Sequence, residues 1–255
     1  QICLSLMIQK TYMFRSLQGR IRIVKNFFNY YIFKITKPSK SQYIVTLKPE
    51  RKKKFKFKAG QYAKFSFAGE VTVPLSIAST PSSTSIELHI NQQAPLSKKK
   101  YFKKYGKVLI SGPYGNSYLE KKGNKSILAI AGGTGLAPIK SITETYLNKG
   151  GKNSIYLYHG AKNEENLYLE KYFRNLVKKY KNLKYIPVLS EPNGKTKRRV
   201  GYVTDIACND FKDFRQIICY LAGPKLMIDS AFKILTKNGL KRKNIFSDQI
   251  PEIKL

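Results

Sequence analysis

The stretch "ILAIAGGTGLAP", residues 127–138, constrains the fold more than any other part of the chain. Five apolar residues run without a polar break, as in a strand buried on both faces, and pass directly into three glycines within four positions. Pro138 then suits the first turn of a helix, where its missing N–H costs nothing. Ile139, Ile142, Tyr146 and Leu147 follow at the spacing of one helical face. The same alternation recurs downstream. "SIYLYHG" is followed by a stripe of Leu169, Phe173, Leu176, Val177 and Tyr180. "YIPVLS" comes next, then "IICYLAG" with a stripe of Met227, Ala231, Ile234 and Leu235, and finally "NIF". Strands alternating with helices predict a parallel sheet covered on both faces.

Upstream the period is different. "RIRIV", "YYIFKIT", "QYIVTL", "QYAKFSF", "PLSIAS", "IELHI" and "KVLIS" are short β-type runs separated by turn residues, the pattern of an antiparallel barrel or sandwich. The polar, lysine-rich "EKKGNKS" (120–126) lies where the period changes. The expected organisation is therefore two domains: an antiparallel β-barrel over 17–121 and an α/β parallel-sheet domain over 122–255. Residues 1–16 are left as an unassigned N-terminal segment. A chain of 255 residues is long enough for each domain to bury its own core.

The formal charge of +33 first suggests nucleic acid. The excess is almost all lysine, however, whereas arginine is the better fork for phosphates and bases. We read it as a solvated lysine surface, with "ERKKKFKFK" (50–58) and "SKKKYFKK" (97–104) dense enough to hold an anionic partner; nucleic acid is not expected. Cys3, Cys208 and Cys219 form no C-x-x-C pair and no metal-ligand spacing, so no metal is expected and a reducing cytoplasm fits. No apolar run reaches the roughly 18 residues of a membrane span, and "ICLSLMI" is too short for a signal peptide's apolar region.

In an open parallel sheet, ligands bind beyond the carboxyl ends of the strands, where helix N-termini present free N–H groups. Gly132, Gly133, Thr134 and Gly135 lie at such an end, and Gly160 and Gly223 close two further strands. Three glycine-bearing strand ends along one crevice describe a dinucleotide site, although the alternative of tight turns with no ligand exists for each. "GGTGLAP" has proline where the Rossmann fingerprint has its third glycine. Lys162, not a carboxylate, follows the second strand, which leans toward a 2′-phosphate while leaving NADH and NADPH both open.

Six motifs, "GQY" (60–62), "PLSIAST" (74–80), "GPYGN" (112–116), "AGGTGLAPIKSI" (131–142), "YHGAKNEENLY" (158–168) and "YLAGPKLMI" (220–228), occur in the order found in the ferredoxin-NADP reductase superfamily. The chain resembles that family over about residues 18–250, and most of all its stand-alone bacterial NAD(P)H:flavin oxidoreductases. The resemblance implies a flavin-binding barrel (FAD, FMN or riboflavin) followed by an NAD(P)H-binding domain. By position, Ser76 would face the flavin atom that receives hydride, making it the one catalytic candidate. Pro74, Leu75 and Ile77 would line the ring, with His89 and Ile90 in "ELHI" beside it. Gly132, Gly133, Thr134 and Gly135, with Pro138, would take the coenzyme pyrophosphate. Gly160, Lys162 and Tyr168 would flank its adenosine end, and Gly223, Pro224 and Met227 its nicotinamide side.

Two positions depart from the family pattern. Val73 stands where an arginine usually pairs with the flavin phosphate, so either the 97–104 lysines substitute or flavin is held weakly and exchanges as a substrate. Ala222 replaces the cysteine that plant-type members carry, which excludes thiol acid-base help there. Outside the resemblance, His89 reads as a packed imidazole, His159 as a turn cap and Asp248 as a surface carboxylate, whereas the resemblance implies that Asp248 reaches the site. The implied activity is hydride transfer from NAD(P)H to a free or loosely bound flavin. The alternatives are a flavoprotein passing electrons to a separate, acidic iron-sulfur or haem protein, and a nucleotide-binding module without turnover.

Overall fold

The computed structural model describes residues 27–97, 100–120 and 123–250. The segment 1–16, Cys3, "RIRIV", Lys98, Lys99 and the expected 121/122 domain boundary fall outside the described residues. The first half is an antiparallel sheet of β1 (Phe28–Thr36), β2 (Gln42–Pro49), β3 (Tyr62–Phe67), β4 (Val71–Ser76), β5 (Ile86–Asn91) and β6 (Lys107–Tyr114), in the order β4-β3-β6-β1-β2-β5. Its two ends approach each other. Ile77 bridges to Leu88, and Ala78 N–H donates to the Glu87 carbonyl at 2.8 Å, so the sheet curls into a nearly closed barrel. Tyr30, Val45, Phe65, Leu88 and Ile110 fill it. Pro74 sits inside β4 without disrupting a ladder, because β4 pairs along its length only with β3.

The second half is a parallel sheet of β7 (Ser126–Gly132), β8 (Ile155–Ala161), β9 (Leu183–Leu189), β10 (Arg199–Val200), β11 (Ile217–Ala222) and β12 (Ile245–Phe246), ordered β10-β9-β8-β7-β11-β12. Helices α1 (Leu136–Asn148) and α2 (Glu170–Lys179) cover one face. Two others, α3 (Val203–Asn209) and α4 (Lys225–Lys237), cover the opposite one. Successive β7 side chains serve the two faces in turn: Ile127 and Ala129 pack on the α1 side, Leu128 and Ile130 into the cluster that α3 and α4 close. None of the described helices is long and apolar enough to cross a membrane.

After β7 the chain moves outward in one direction through β8, β9 and β10, then returns to place β11 on the other side of β7. The reversal lies between β7 and β11, and there the loops beyond both strand ends diverge to leave a crevice. The glycines have separate reasons at this point. A methyl on Gly135 would overlap the backbone carbonyl of Ala222, and one on Gly132 would come within 2.7 Å of Met227 Sδ. Gly133 has φ +55°, with open space where a Cβ would go. We expect Gly135→Ala to destabilise the fold by about 3 kcal/mol through overpacking against backbone, and Gly133→Ala by only about 1 to 2 kcal/mol, the left-handed penalty. Urea unfolding of both variants checks this, and equal midpoints would contradict it.

Candidate functional site

The crevice at the β7/β11 reversal opens onto the barrel, and a cleft of about 420 Å³ separates the two. On the barrel side it is bounded by Pro74, Leu75 and Ser76 of β4, His89 and Asn91 of β5, and Gly60 and Ser117. On the other side stand the turn from Gly132 to Gly135, Pro138 of α1, and Ala222, Gly223 and Pro224 beyond β11. Ser247, Asp248 and Gln249 close one end. The volume lies within the roughly 300–1,000 Å³ of small-molecule sites.

Gly133 to Gly135 form a single 3₁₀ turn that runs straight into the 13-residue α1. The first N–H groups of such a unit have no intrahelical acceptor, and the helix dipole places positive potential there. With no side chain on Gly133, the backbone lies bare toward the cleft, which fits a pyrophosphate. A second cavity of about 470 Å³ shares Gly132, Gly133 and Pro224 and continues along the strand ends past Gly160, Lys162 and Met227. The two cavities together trace an elongated path along the sheet edge, as a dinucleotide requires.

The remaining sequence candidates are placed differently. Ile77 and Ile90 are 0% and 1% exposed, their side chains shut in the barrel core, so only their backbone is near the cleft. Tyr168 is 1% exposed and lies beneath the glycine turn, its hydroxyl 3.3 Å from the Gly133 carbonyl. It therefore does not flank an adenosine at the surface; the aromatic ring is used as core between β5 and β8. Lys162 is exposed and paired with Glu191 across 3.2 Å, so its charge is already met. His89 borders the cleft yet is held by Tyr168 and Glu87, and His159 is buried with Nδ1 3.0 Å from the Tyr185 hydroxyl. Burial drives the His159 pKa down to about 3, so it stays neutral.

Sequence reasoning missed Asn91 and Gln249 and left Asp248 open. Asn91 and Gln249 line the cleft, and Gln249 Nε2 donates to the Gly223 carbonyl at 3.0 Å, tying the C-terminal segment to the β11 loop. Asp248 reaches the site as an acceptor: its Oδ1 receives the N–H groups of Asn116 and Ser117, each at 3.0 Å. Gly115 is required beside it, because a Cβ there would sit 2.6 Å from Asp248 Oδ2. No periodicity marks these contacts; those of Asp248 join segments 131 and 132 residues apart. The cleft also lacks a cation: among the described residues, no lysine or arginine lines it. Val73 packs against the barrel core.

Comparison with known proteins agrees with this architecture. Residues 29–118 match the family model described as an FAD-binding domain, and residues 129–233 the one described as an oxidoreductase NAD-binding domain. The chain is 35% identical over 202 residues to a probable flavin reductase of Aliivibrio fischeri, covering 76% of this chain and 85% of that one. It is 33% identical over 226 residues to a probable flavin reductase of Photobacterium leiognathi, covering 86% and 94%. A ferredoxin NADP+ reductase from Neisseria gonorrhoeae, solved with bound FAD and NADP, superposes with a TM-score of 0.72 at 17% identity, over 86% of this chain and 97% of that one. With the barrel, the reversal in strand order and the cleft between them, these matches establish that the chain belongs to the ferredoxin-NADP reductase family of oxidoreductases.

Proposed function

We propose that the chain is an NAD(P)H-dependent flavin reductase, with flavin on the barrel side of the cleft and the nicotinamide nucleotide on the glycine turn. The observation that carries this reading is the cleft itself. A strand edge suited to a flat ring faces a bare helix N-terminus suited to a pyrophosphate, with room between them. When both are bound, flavin and nicotinamide supply the redox chemistry, a hydride passing from the second to the first. What the protein contributes is binding, orientation and exclusion of water.

Pro74 and Leu75 give apolar surface for a ring, and the Ser76 hydroxyl adds a single directional hydrogen bond beside it. Gly223 and Pro224 bound the opposite wall, and Gln249 braces that loop from below. Neither cysteine among the described residues offers a thiolate. Burial pushes the Cys208 pKa up to about 12 and raises that of Cys219 well above its usual range, so both remain protonated. The missing cation favours flavin as an exchanging substrate, because a phosphate in this cleft finds no charged clamp among the described side chains. Passage of electrons onward to an acidic redox protein is a second reading, favoured by the lysine-rich surface, and a yellow purified protein would mark it.

Three outcomes test the assignment. Ser76→Ala is expected to lower kcat for flavin reduction about tenfold, the cost of about one hydrogen bond in the transition state, with the Kd for NAD(P)H unchanged. An unaltered kcat removes Ser76 from the site. Riboflavin and FMN are expected to be reduced with kcat/KM values within about threefold, a ratio that a charge-assisted phosphate contact of about 1.5–3 kcal/mol would not allow. Glu191→Ala releases Lys162, and the ratio of kcat/KM for NADPH over NADH is expected to rise about fivefold, the effect of a single exposed charge. A steady-state assay crossing NADH and NADPH with three flavins reads the last two.

A further inference from the structure

Behind the glycine turn, polar side chains from both domains are buried against one another. The Tyr168 hydroxyl lies 2.9 Å from His89 Nδ1, on β5, and 3.3 Å from the Gly133 carbonyl oxygen, which also accepts the Leu136 N–H. The other ring nitrogen of His89, Nε2, is 2.9 Å from Glu87 Oε1, and Lys140 of α1 reaches the same oxygen at 3.2 Å. Tyr168 meets both histidine rings edge-on, at centroid distances of 5.3 Å to His89 and 5.7 Å to His159. The His89 side chain is wholly buried.

The charges determine where the hydrogens lie. Burial works to raise the Glu87 pKa, but the hydrogen bond with His89 and the charge of Lys140 outweigh it and hold the carboxyl at about 2. Glu87 is therefore a carboxylate that can only accept. Nε2 of His89 must carry a hydrogen and donate it to Glu87. Burial, opposed by Glu87, keeps His89 below the ordinary histidine range, so the ring is neutral at pH 7 and Nδ1 is an acceptor. Tyr168 has one hydrogen, and it goes to Nδ1, which accounts for the shorter of its two contacts.

We propose that Tyr168 and His89 are positioning residues for the nicotinamide nucleotide: their hydrogen bond crosses the domain boundary and fixes to β5 the tyrosine whose hydroxyl oxygen packs 3.3 Å from the Gly133 carbonyl. The partner strand is rigid. β5 pairs with β2 over six residues, and Ala78, two positions beyond Ser76, donates its N–H to the Glu87 carbonyl. Tyr168, by contrast, lies in the short link between a 3₁₀ turn (Glu164–Asn166) and α2. Loss of the bond therefore lets the turn shift while the flavin face of the barrel stays in place. This inference rests on the reading of the turn as the coenzyme's pyrophosphate site.

The test uses ADP-ribose, which carries a pyrophosphate but no nicotinamide, measured by calorimetry on the full chain beside riboflavin binding by fluorescence quenching. Tyr168→Phe keeps the ring packing and removes the hydroxyl. The Kd for ADP-ribose is expected to rise about tenfold, because the displaced turn presents its N–H groups less well to the pyrophosphate, with riboflavin binding unchanged within about twofold. His89→Asn places an amide oxygen near the Nδ1 position and is expected to retain ADP-ribose affinity within about threefold. His89→Gln, which reaches the Nε2 position instead, should weaken it as Tyr168→Phe does. Equal ADP-ribose affinity in the wild type and Tyr168→Phe overturns the proposal. So does equal weakening by the two His89 variants, or a parallel loss of riboflavin binding, since either marks a packing role. If the wild type does not bind ADP-ribose, the reading of the turn fails first and the latch with it.

Discussion

Helix α1 is buried on two sides, and the relation between the domains follows from that. Ile139, Ile142 and Leu147 pack on the parallel sheet, while Lys140 and Ser141 of the same helix face the barrel. Ser141 Oγ donates to the Ser79 carbonyl at 2.7 Å, and the Lys140 ammonium, with its side chain 8% exposed, lies between Glu87 of β5 and Glu144 one turn along. Burying such a cation costs several kcal/mol, and two carboxylates roughly offset that cost without producing much net stability. The ion cluster selects geometry. A shift of the barrel along α1 would leave Lys140 without Glu87 in a nearly dry interface, so one docking is strongly preferred over its neighbours. The cleft inherits its width from this docking, because the glycine turn is the first turn of the same helical unit.

The three glycines at 132, 133 and 135 look alike in the sequence and serve different ends. Two are packing glycines: Gly135 makes room for the Ala222 carbonyl and Gly132 for Met227, so that β7 and β11 can sit side by side with their loops in contact. Gly133 alone combines a left-handed backbone with empty space above it. Removing side chains therefore does two things within four residues. It closes the sheet at the point where the strand order reverses, and it bares the N–H groups on the open side. The open face of the turn depends on a packed one directly beneath it, which is why the proposed anion site and the sheet's reversal coincide.

Much of the fold was legible because both domains obey strict periods. The expected runs from "YYIFKIT" onward correspond to β1 through β6, although "PLSIAS" meets only the last three residues of β4, and the second-half runs to β7, β8, β9, β11 and β12. The period of α1 was only half informative. Its stripe of four apolar positions describes the face on the sheet, whereas ten of its thirteen residues are buried, because the barrel covers the other side. Lys140 carried no apolar signal at all. The short α3 and the two-residue β10 left too few positions for any period to register. In the site, the glycines and the "PLS" strand were readable from local composition and family motif. Tyr168 was assigned to the right neighbourhood but the wrong side of the turn, since burial of a tyrosine with a satisfied hydroxyl resembles a surface aromatic in sequence. Asp248 and Gln249 act across loops distant in the chain, and only the folded structure brings them together.

The charge distribution completes the physical picture. A chain with a formal charge of +33 has built a cleft bounded by uncharged groups and a single, backbone-bonded aspartate. Several lysines elsewhere rest their ammonium groups on aromatic faces, Lys58 Nζ 3.9 Å from the Tyr118 ring centroid and Lys48 Nζ 3.6 Å from that of Phe33. Positive charge therefore surrounds the site without entering it. Such a field draws anionic nucleotides toward the protein and raises encounter rates, while contributing little to holding them once bound. Under the proposed function, retention falls instead to shape and to backbone N–H groups, which would suit a flavin that exchanges as a substrate. An arginine at position 73 would strengthen retention of a phosphorylated flavin and slow that release. Valine there, packed into the barrel wall, is consistent with turnover in which both nucleotides come and go.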